Sequence, residues 1–191
     1  MLGQLPRSLE INGKIYAINT DFRVILVIIS AFNDDDLEDN EKVYICLKRL
    51  YVDFDSMPPD DYEEAYSAAI RFIECEQPQE QKRSPRIVNW EKDEQMIFPA
   101  INKVAGCEVR LLDYLHWYTF YGFFQGISTD DTYGYILMLR QKKVKGKKFE
   151  KHEQEFWNNN RAACVMNADA GTSAGADKQL QKIYESLLKG G

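Results

Sequence analysis

The sequence is poor in the side chains that usually hold metal ions. Its 191 residues include only two histidines and four cysteines. The cysteines, Cys46, Cys75, Cys107 and Cys164, stand far apart, and no C-x-x-C pair or cysteine–histidine cluster occurs. Zinc sites usually combine such ligands at short spacings. We therefore expect no metal site, and a reducing compartment is the simplest explanation of the scattered cysteines.

Phosphate-binding and calcium-binding loops are also missing. No G-x-x-x-x-G-K-[ST] or G-x-G-x-x-G pattern is present. The acidic stretch "NDDDLEDN" at 33–40 lacks the glycine and the terminal glutamate of a calcium loop. We expect this stretch to be a solvated loop, and we expect no cofactor.

The sequence has no long apolar run and no excess of positive charge. The run "VILVIIS" at 24–30 is much shorter than the roughly 20 residues that span a bilayer. The opening "MLGQLPRSLEING" lacks the apolar stretch of a secretory signal. The net charge is −6 and the pI is near 5.1, whereas nucleic-acid-binding proteins usually carry a basic excess. These features predict a cytoplasmic protein, with neither membranes nor nucleic acids as expected partners.

What the sequence does contain is a short hairpin followed by helical periodicity. Residues 9–18 alternate around Asn12-Gly13, a dipeptide typical of two-residue hairpin turns. The apolar members of this alternation are Leu9, Ile11, Ile15 and Ala17. Helical spacing of apolar residues follows in segments 20–32, 41–52, 59–73, 90–104, 113–127, 130–144, 149–165 and 178–189. We predict a mainly α fold, a bundle of about six or seven helices with a small N-terminal β-hairpin.

Polar residues predict where several helices begin. The expected N-caps are Asn19 or Thr20, Asp39 or Asn40, and Asn89, and Ser128-x-x-Asp131 resembles a capping box. Pro99 should kink or split the helix that runs from Trp90 to Val104, because its ring clashes with the preceding turn. Gly106 should end that helix.

The predicted organisation is a helical domain over 1–166 and a tail over 167–191. The domain contains a proline-bearing linker at about 76–87, which we expect to be exposed and flexible. The tail starts with the glycine-rich tether "NADAGTSAGAD" and continues into an amphipathic helix. The apolar face of that helix is Leu180, Ile183, Tyr184, Leu187 and Leu188. These side chains gain stability only when covered, and we favour a partner or second copy over the chain's own domain.

The aromatic stretch "DYLHWYTFYGFFQGI" at 113–127 could be core, the wall of a ligand pocket or an exposed partner surface. On a helix it would be apolar over two adjacent faces, which favours the core. Asp113 and His116 would then lie one turn apart and could form a carboxylate–histidine pair. No serine or cysteine nucleophile accompanies them, so we favour a structural histidine over a catalytic one.

Residues 140–151 are strongly basic and are candidates for partner contacts. The residues that we assign to this role are Arg140, Lys142, Lys143 and Lys147. Phe149 is the only aromatic residue in 140–151, so the range offers little for stacking on nucleic-acid bases. We favour pairing with the acidic 33–41 segment or steering of an acidic partner.

Three segments together resemble one protein family. "INGKIYAINTDFR" (11–23), "LLDYLHWYTFYGFFQGIS" (111–128) and "ILMLRQKKV" (136–144) are similar to segments of the bacteriophage gene-product-fifteen family. The resemblance covers about residues 5–160. It departs at Tyr118, where a second tryptophan is expected, and in the tail after residue 166. It implies a protein encoded beside tail-tube and tape-measure genes in tailed phages and prophages of Gram-positive bacteria, and it brings no catalytic residues.

The resulting hypothesis is a non-enzymatic phage or prophage tail morphogenesis protein. It would be a tail assembly chaperone that binds tape-measure or tail-tube protein in the host cytoplasm by helix-in-groove packing. The alternative is a structural virion component, such as a tail completion or connector protein, and a homo-oligomer fits both. An enzyme using Asp113 and His116 is the third hypothesis. No catalytic, cofactor-binding or metal-binding residue is assigned.

Overall fold

The computed structural model describes residues 3–76 and 87–166. These residues form a mainly helical fold with one two-stranded antiparallel hairpin, which confirms the predicted fold class. They divide into two compact units, one of residues 3–76 and 116–118 and one of residues 87–115 and 119–166. Most of the predicted linker and the whole predicted tail lie outside the described residues, so the domain organisation stays a prediction.

The first unit holds strands β1 (Ser8–Ile11) and β2 (Lys14–Ala17) and helices α1 (Phe22–Phe32), α2 (Asp39–Leu50) and α3 (Tyr62–Ile73). The second unit holds α4 (Glu94–Ala105), α6 (Thr132–Val144), α7 (Lys151–Asn159) and α8 (Arg161–Cys164). Helix α5 (Trp117–Gln125) has its first two residues in the first unit and the others in the second. Single 3-10 turns occupy Phe54–Ser56, Pro59–Asp61 and Val109–Leu111. No helix among the described residues is both long enough and apolar enough to cross a bilayer.

The hairpin turn forms where the sequence predicts it. Asn12 and Gly13 have φ values of 48° and 77°, the left-handed conformation that a two-residue turn needs. The register pairs Ile11 with Lys14, so Ile15 lies on the opposite face of the hairpin from Ile11. Ile11 is fully buried and Ile15 is 76% exposed. Ile15 and Ala17, two apolar members of the predicted alternation, therefore face solvent.

Helix α1 begins later than predicted. Its N-cap is Asp21, whose carboxylate accepts a hydrogen bond from the backbone N–H of Arg23 at 3.0 Å. Asn19 instead donates its side-chain amide to the carbonyl of Arg49 at 2.9 Å, and Thr20 is buried. The predicted cap at Asn19 or Thr20 is therefore wrong by one or two residues. The helix buries Phe22, Ile25, Ile28 and Ala31, and it packs against α2.

Helix α2 has an unusual cap. Its N-cap is Glu38, not Asp39 or Asn40, so that prediction is wrong. Glu38 and Glu41 form a reciprocal capping box, in which the Glu38 backbone N–H donates to the Glu41 carboxylate at 2.8 Å. Glutamate is a rare N-cap, which is why the usual residue preferences point one or two positions too far along the chain.

Helix α3 ends in a hydrogen-bond pattern that usually requires glycine. The backbone N–H of Cys75 donates to the carbonyl of Phe72, and that of Glu76 donates to the carbonyl of Arg71. This 5→2 and 6→1 pairing is a Schellman motif. Cys75 and Glu76 both have positive φ values, 55° and 54°, which are strained for residues with a Cβ.

Helix α4 begins four residues later than predicted. Asp93 is its N-cap, and Asn89 closes a preceding turn by accepting a hydrogen bond from the Lys92 backbone N–H at 3.0 Å. The prediction of a cap at Asn89 and a start at Trp90 is therefore wrong. The helix ends at Gly106, whose φ of 72° and hydrogen bond to the Asn102 carbonyl confirm the predicted termination.

Pro99 lies inside α4 without splitting it. The carbonyl that loses its helical partner belongs to Gln95, four residues earlier. Pro99 and Gln95 are both exposed, so water can satisfy this carbonyl. Of the two predicted outcomes, a kink or a split, the split does not occur.

The second unit is built around α6. Asp131 is the N-cap of α6, and Ser128 accepts a hydrogen bond from the Asp130 backbone, so the capping box predicted at Ser128 does not form. Gly134 admits the carbonyl of Ser128, since an added Cβ would lie 2.1 Å from that oxygen. The predicted helix 149–165 is two helices, α7 and α8, separated at Asn160. The core between these helices contains Ile136, Leu139, Trp157 and Cys164.

Candidate functional site

The aromatic stretch 113–127 has an exposed beginning and a buried middle. Tyr114 is 47% exposed, whereas Trp117 and Phe120 are at most 1% exposed. Residues 111–116 are not part of α5, which begins at Trp117. The continuous helix from residue 113 is therefore a wrong prediction, and the core assignment holds only for the middle of the stretch.

His116 is buried, and both of its ring nitrogens are hydrogen-bonded to the backbone. It is 3% exposed, and its Nε2 lies 2.8 Å from the carbonyl oxygen of Pro6. Its Nδ1 accepts a hydrogen bond from the Tyr118 backbone N–H at 3.0 Å, so Nε2 carries the proton that is donated to Pro6. Both ring nitrogens are thereby occupied by the backbone. The one-turn spacing predicted for Asp113 and His116 does not exist, because neither residue lies in a helix.

The start of α5 completes the core of the first unit. The backbone N–H of Trp117 donates to the Thr20 carbonyl at 2.7 Å, and its indole N–H donates to the Ile73 carbonyl at 2.8 Å. The second bond satisfies a carbonyl at the end of α3. Tyr118 stacks on Phe72 with ring centroids 5.1 Å apart. These aromatic side chains hold the elements of the first unit together.

The remainder of α5 serves the same purpose in the second unit. Phe120 packs against Phe98 at 6.1 Å and against Trp90 at 6.0 Å between ring centroids. Trp90 also contacts Phe124 at 4.9 Å. Aromatic pairs at such separations add stability beyond the area that they bury. The aromatic side chains in the middle of the stretch are therefore explained by packing within each unit.

Arg140 is not a surface cation. It is 2% exposed, and its guanidinium forms a bidentate ion pair with Asp93 at 2.5 and 2.9 Å. Asp93 is fully buried and also accepts a hydrogen bond from the hydroxyl of Tyr133 at 3.2 Å. Burial, followed by the nearby Asp93 charge, raises the pKa of Tyr133, so its hydroxyl stays protonated and donates. The sequence predicts that Arg140 contacts a partner, but its buried side chain is bonded inside the second unit and is not available at the surface.

The same guanidinium binds three carbonyls from distant segments. It donates to Ile87 at 2.9 Å, to Ala163 at 2.6 Å and to Cys164 at 3.1 Å. The Arg140 side chain therefore links α8 to the segment that precedes α4. Lys92 adds a bond to the carbonyl of Val165 at 2.7 Å, which fixes the same end of the described chain.

The other predicted cations lie at or near the surface, around the end of α6. Lys142 is partly buried and pairs with Glu153, while Lys143 lies over the ring of Trp157 at 5.4 Å. Lys147 is exposed. Helix α6 ends in a second Schellman motif, this time with Gly146 in the left-handed position at φ 65°. The chain reverses there and presents its next lysines to solvent.

The tail contributes five apolar residues to the predicted partner surface. Leu180, Ile183, Tyr184, Leu187 and Leu188 lie outside the described residues.

Among the described residues, no group of three or more histidine, cysteine, aspartate or glutamate side chains is arranged to hold a metal ion. Burial raises the pKa of the Cys75 thiol to about 11, so that thiol is protonated at neutral pH and is a poor nucleophile.

Comparison with known proteins matches one family. The family model of the bacteriophage Gp15 protein matches residues 1–163, most of the chain. Neither the curated proteins nor the solved structures gave a match. The matched range contains the hairpin, α1 to α7 and the Arg140–Asp93 pair. The chain therefore belongs to the bacteriophage Gp15 protein family, whose members are phage structural or morphogenesis proteins.

Proposed function

We propose that this protein is a non-enzymatic tail assembly chaperone that binds tape-measure or tail-tube protein in the host bacterial cytoplasm. The observation that carries the proposal is the use of the aromatic stretch as packing material. Because the aromatic residues are used for packing, the surface and the tail are the parts that we expect to bind other proteins in this member of a phage morphogenesis family.

The tail is the proposed client-binding segment. Its apolar side chains recur at the spacing of one helical face, and a groove in a helical client would cover them. Lys142, Lys143 and Lys147 would speed the encounter with an acidic client, because complementary charges mainly raise association rates. Arg140 has no part in this step, since its charge is paired inside the unit.

Co-expression with a tape-measure fragment tests this assignment. The full chain should co-purify with the fragment, and a chain that ends at residue 166 should not. A finer variant replaces Leu180, Ile183 and Leu187 by alanine, and its matched control replaces Gln179, Gln181 and Ser186 by alanine. Loss of co-purification in the first variant alone supports the proposal. Equal retention of the fragment by the truncated chain would refute the role of the tail.

Mass spectrometry of purified phage particles separates the chaperone from a structural virion component. A chaperone acts during assembly, so its peptides should be absent or far below one copy per tail-tube ring. Detection in a fixed number of copies per particle would favour a tail completion or connector protein instead.

The non-enzymatic character rests on His116, the residue that the enzymatic hypothesis needs. A His116→Gln variant keeps an amide donor towards Pro6 and removes the imidazole. In a phage plating assay this variant should retain most of the plaque yield. Circular dichroism verifies that the His116→Gln protein is folded. If a folded variant gives no plaques, the result supports the enzymatic hypothesis instead.

A further inference from the structure

The loop after α6 carries more positive charge than its own fold uses. We call residues 143–151 the basic corner. Its lysines are Lys143, Lys145, Lys147, Lys148 and Lys151, and all of them are exposed. Lys143 lies in the last turn of α6, where a cation is stabilised by the helix dipole. Lys147 and Lys148 lie beyond that turn, so α6 gives no reason for their charge.

The acidic turn between α1 and α2, residues 34–41, shows the opposite excess. Its carboxylates are Asp34, Asp35, Asp36, Glu38, Asp39 and Glu41, and all of them are exposed. Asp39 and Glu41 lie in the first turn of α2, and Glu38 caps it. Asp34 accepts a hydrogen bond from the backbone of Asp36 at 2.9 Å. The side chains of Asp35 and Asp36 have no such local task.

Neither surface is neutralised within its own unit. Among the described residues of the second unit no ion pair involves Lys145, Lys147 or Lys148, and among those of the first none involves Asp35 or Asp36. Other surface charges do find partners, such as Lys48 with Asp55 at 2.6 Å and Lys103 with Asp131 at 2.7 Å. Two compact, unpaired surfaces of opposite sign therefore occur on one chain.

We infer that the basic corner binds the acidic turn of a second copy of this chain. The partner follows from charge complementarity, because each copy supplies both surfaces in equal number. Such a contact joins different patches on the two copies, so it is heterologous and extends from copy to copy unless a ring closes. The inference does not depend on the client-binding role of the tail, and it concerns other residues.

The contact should be weak and sensitive to salt. Exposed ion pairs gain little individually, and their attraction falls once the charges lie farther apart than the screening length. That length is about 30 Å at 0.01 M salt and about 3 Å at 1 M. Association should therefore be strong enough to measure at low ionic strength and should weaken by about tenfold or more at high ionic strength.

Sedimentation of the full chain tests the inference. At ~0.02 M salt the mass-average molecular mass should rise with protein concentration, and at ~0.5 M salt it should return to the monomer value. Lys147→Glu with Lys148→Glu should abolish the rise, and so should Asp35→Lys with Asp36→Lys. A wild-type protein that stays monomeric at every concentration at low salt would overturn the inference. The same result is expected if the two surfaces pair within one molecule.

A mixture of the two reversed proteins is the decisive measurement. The first variant keeps the acidic turn but has a nearly neutral corner, and the second keeps the basic corner but has a weakened acidic turn. Neither should therefore self-associate, whereas the intact turn of the first should bind the intact corner of the second. The matched controls change net charge equally at exposed residues elsewhere: Arg49→Glu with Arg161→Glu, and Glu10→Lys with Glu155→Lys. Controls that associate like the wild type support the inference. A mixture that stays monomeric, or controls that dissociate as fully as the reversed variants, would refute it.

Discussion

The two units each bury an aspartate, but they neutralise it in different ways. Asp61 in the first unit is 4% exposed and accepts bonds from Asn12, Tyr16 and Lys14 at 2.9, 2.6 and 3.2 Å. Only the lysine among these is charged, and its side chain is 58% exposed. Asp93 in the second unit is fully buried and is held by the equally buried Arg140.

The difference teaches how much each unit depends on its carboxylate. Removing one member of a buried ion pair leaves the other charge in a poorly solvated site. Removing Asp61 leaves Asn12, Lys14 and Tyr16 without their acceptor. These side chains are exposed or partly exposed, so water can replace the lost hydrogen bonds. The second unit should therefore be far more sensitive to loss of its aspartate than the first.

The largest effect is expected for Asp93→Ala. The change strands the Arg140 charge and removes the acceptor of Tyr133, so the free energy of unfolding should fall by about 3–5 kcal/mol. Chemical denaturation of the full chain measures it. Asp113→Ala is the control, since Asp113 is exposed in the same unit. A loss below about 1 kcal/mol would mean that water reaches Arg140.

A double replacement sharpens the same point. Arg140→Met removes the charge that Asp93→Ala would strand, so the two changes together should cost less than the sum of the single changes. The coupling free energy should be about 1–3 kcal/mol. The double variant will not regain full stability, because the carbonyls of Ile87, Ala163 and Cys164 lose their donor. Additive losses would show that the ion pair contributes nothing specific.

How far the sequence predicts these features depends on how local their causes are. The hairpin turn follows from Asn12-Gly13, and the end of α4 follows from Gly106, since each is decided by one residue's conformation. The Asp93–Arg140 pair joins positions 47 residues apart, and no periodicity links them. The prediction groups Arg140 with neighbouring lysines because all of them are cationic. Arg140 is buried, and the burial comes from a partner that the local sequence does not reveal.

The start of α5 shows a second limit. Residues 111–116 are apolar enough for a helix and contain no glycine or proline to stop one. The structure holds their end extended through a bridge between His116 and Asp21 and through the bond from Trp117 to Thr20. Tertiary pairing overrides local preference there, so the helix start could not be predicted from periodicity alone.

A moderate effect is expected for Asp61→Asn, with a characteristic pH dependence. Hydrogen bonds from Asn12 and then Tyr16 lower the pKa of Asp61 below its ordinary value. A lowered folded-state pKa adds stability above the unfolded-state pKa, about 3.9, and this stability is lost as pH falls through the folded-state value. The variant should melt a few degrees below wild type at pH 7. Thermal melts should show that gap closing below about pH 4, and a constant gap would contradict the lowered pKa.

The smallest effect is expected for Lys14→Gln, which removes the one charged partner of Asp61. The lysine side chain is largely in water, so its attraction to the carboxylate is screened and its ordering is costly. Asn12 and Tyr16 still satisfy Asp61, and the hairpin register is set by the turn. Melting at pH 7 should match wild type within the error of the measurement. A loss as large as that of Asp61→Asn would mean that Asp61, like Asp93, needs a cation, and the contrast between the two units would then disappear.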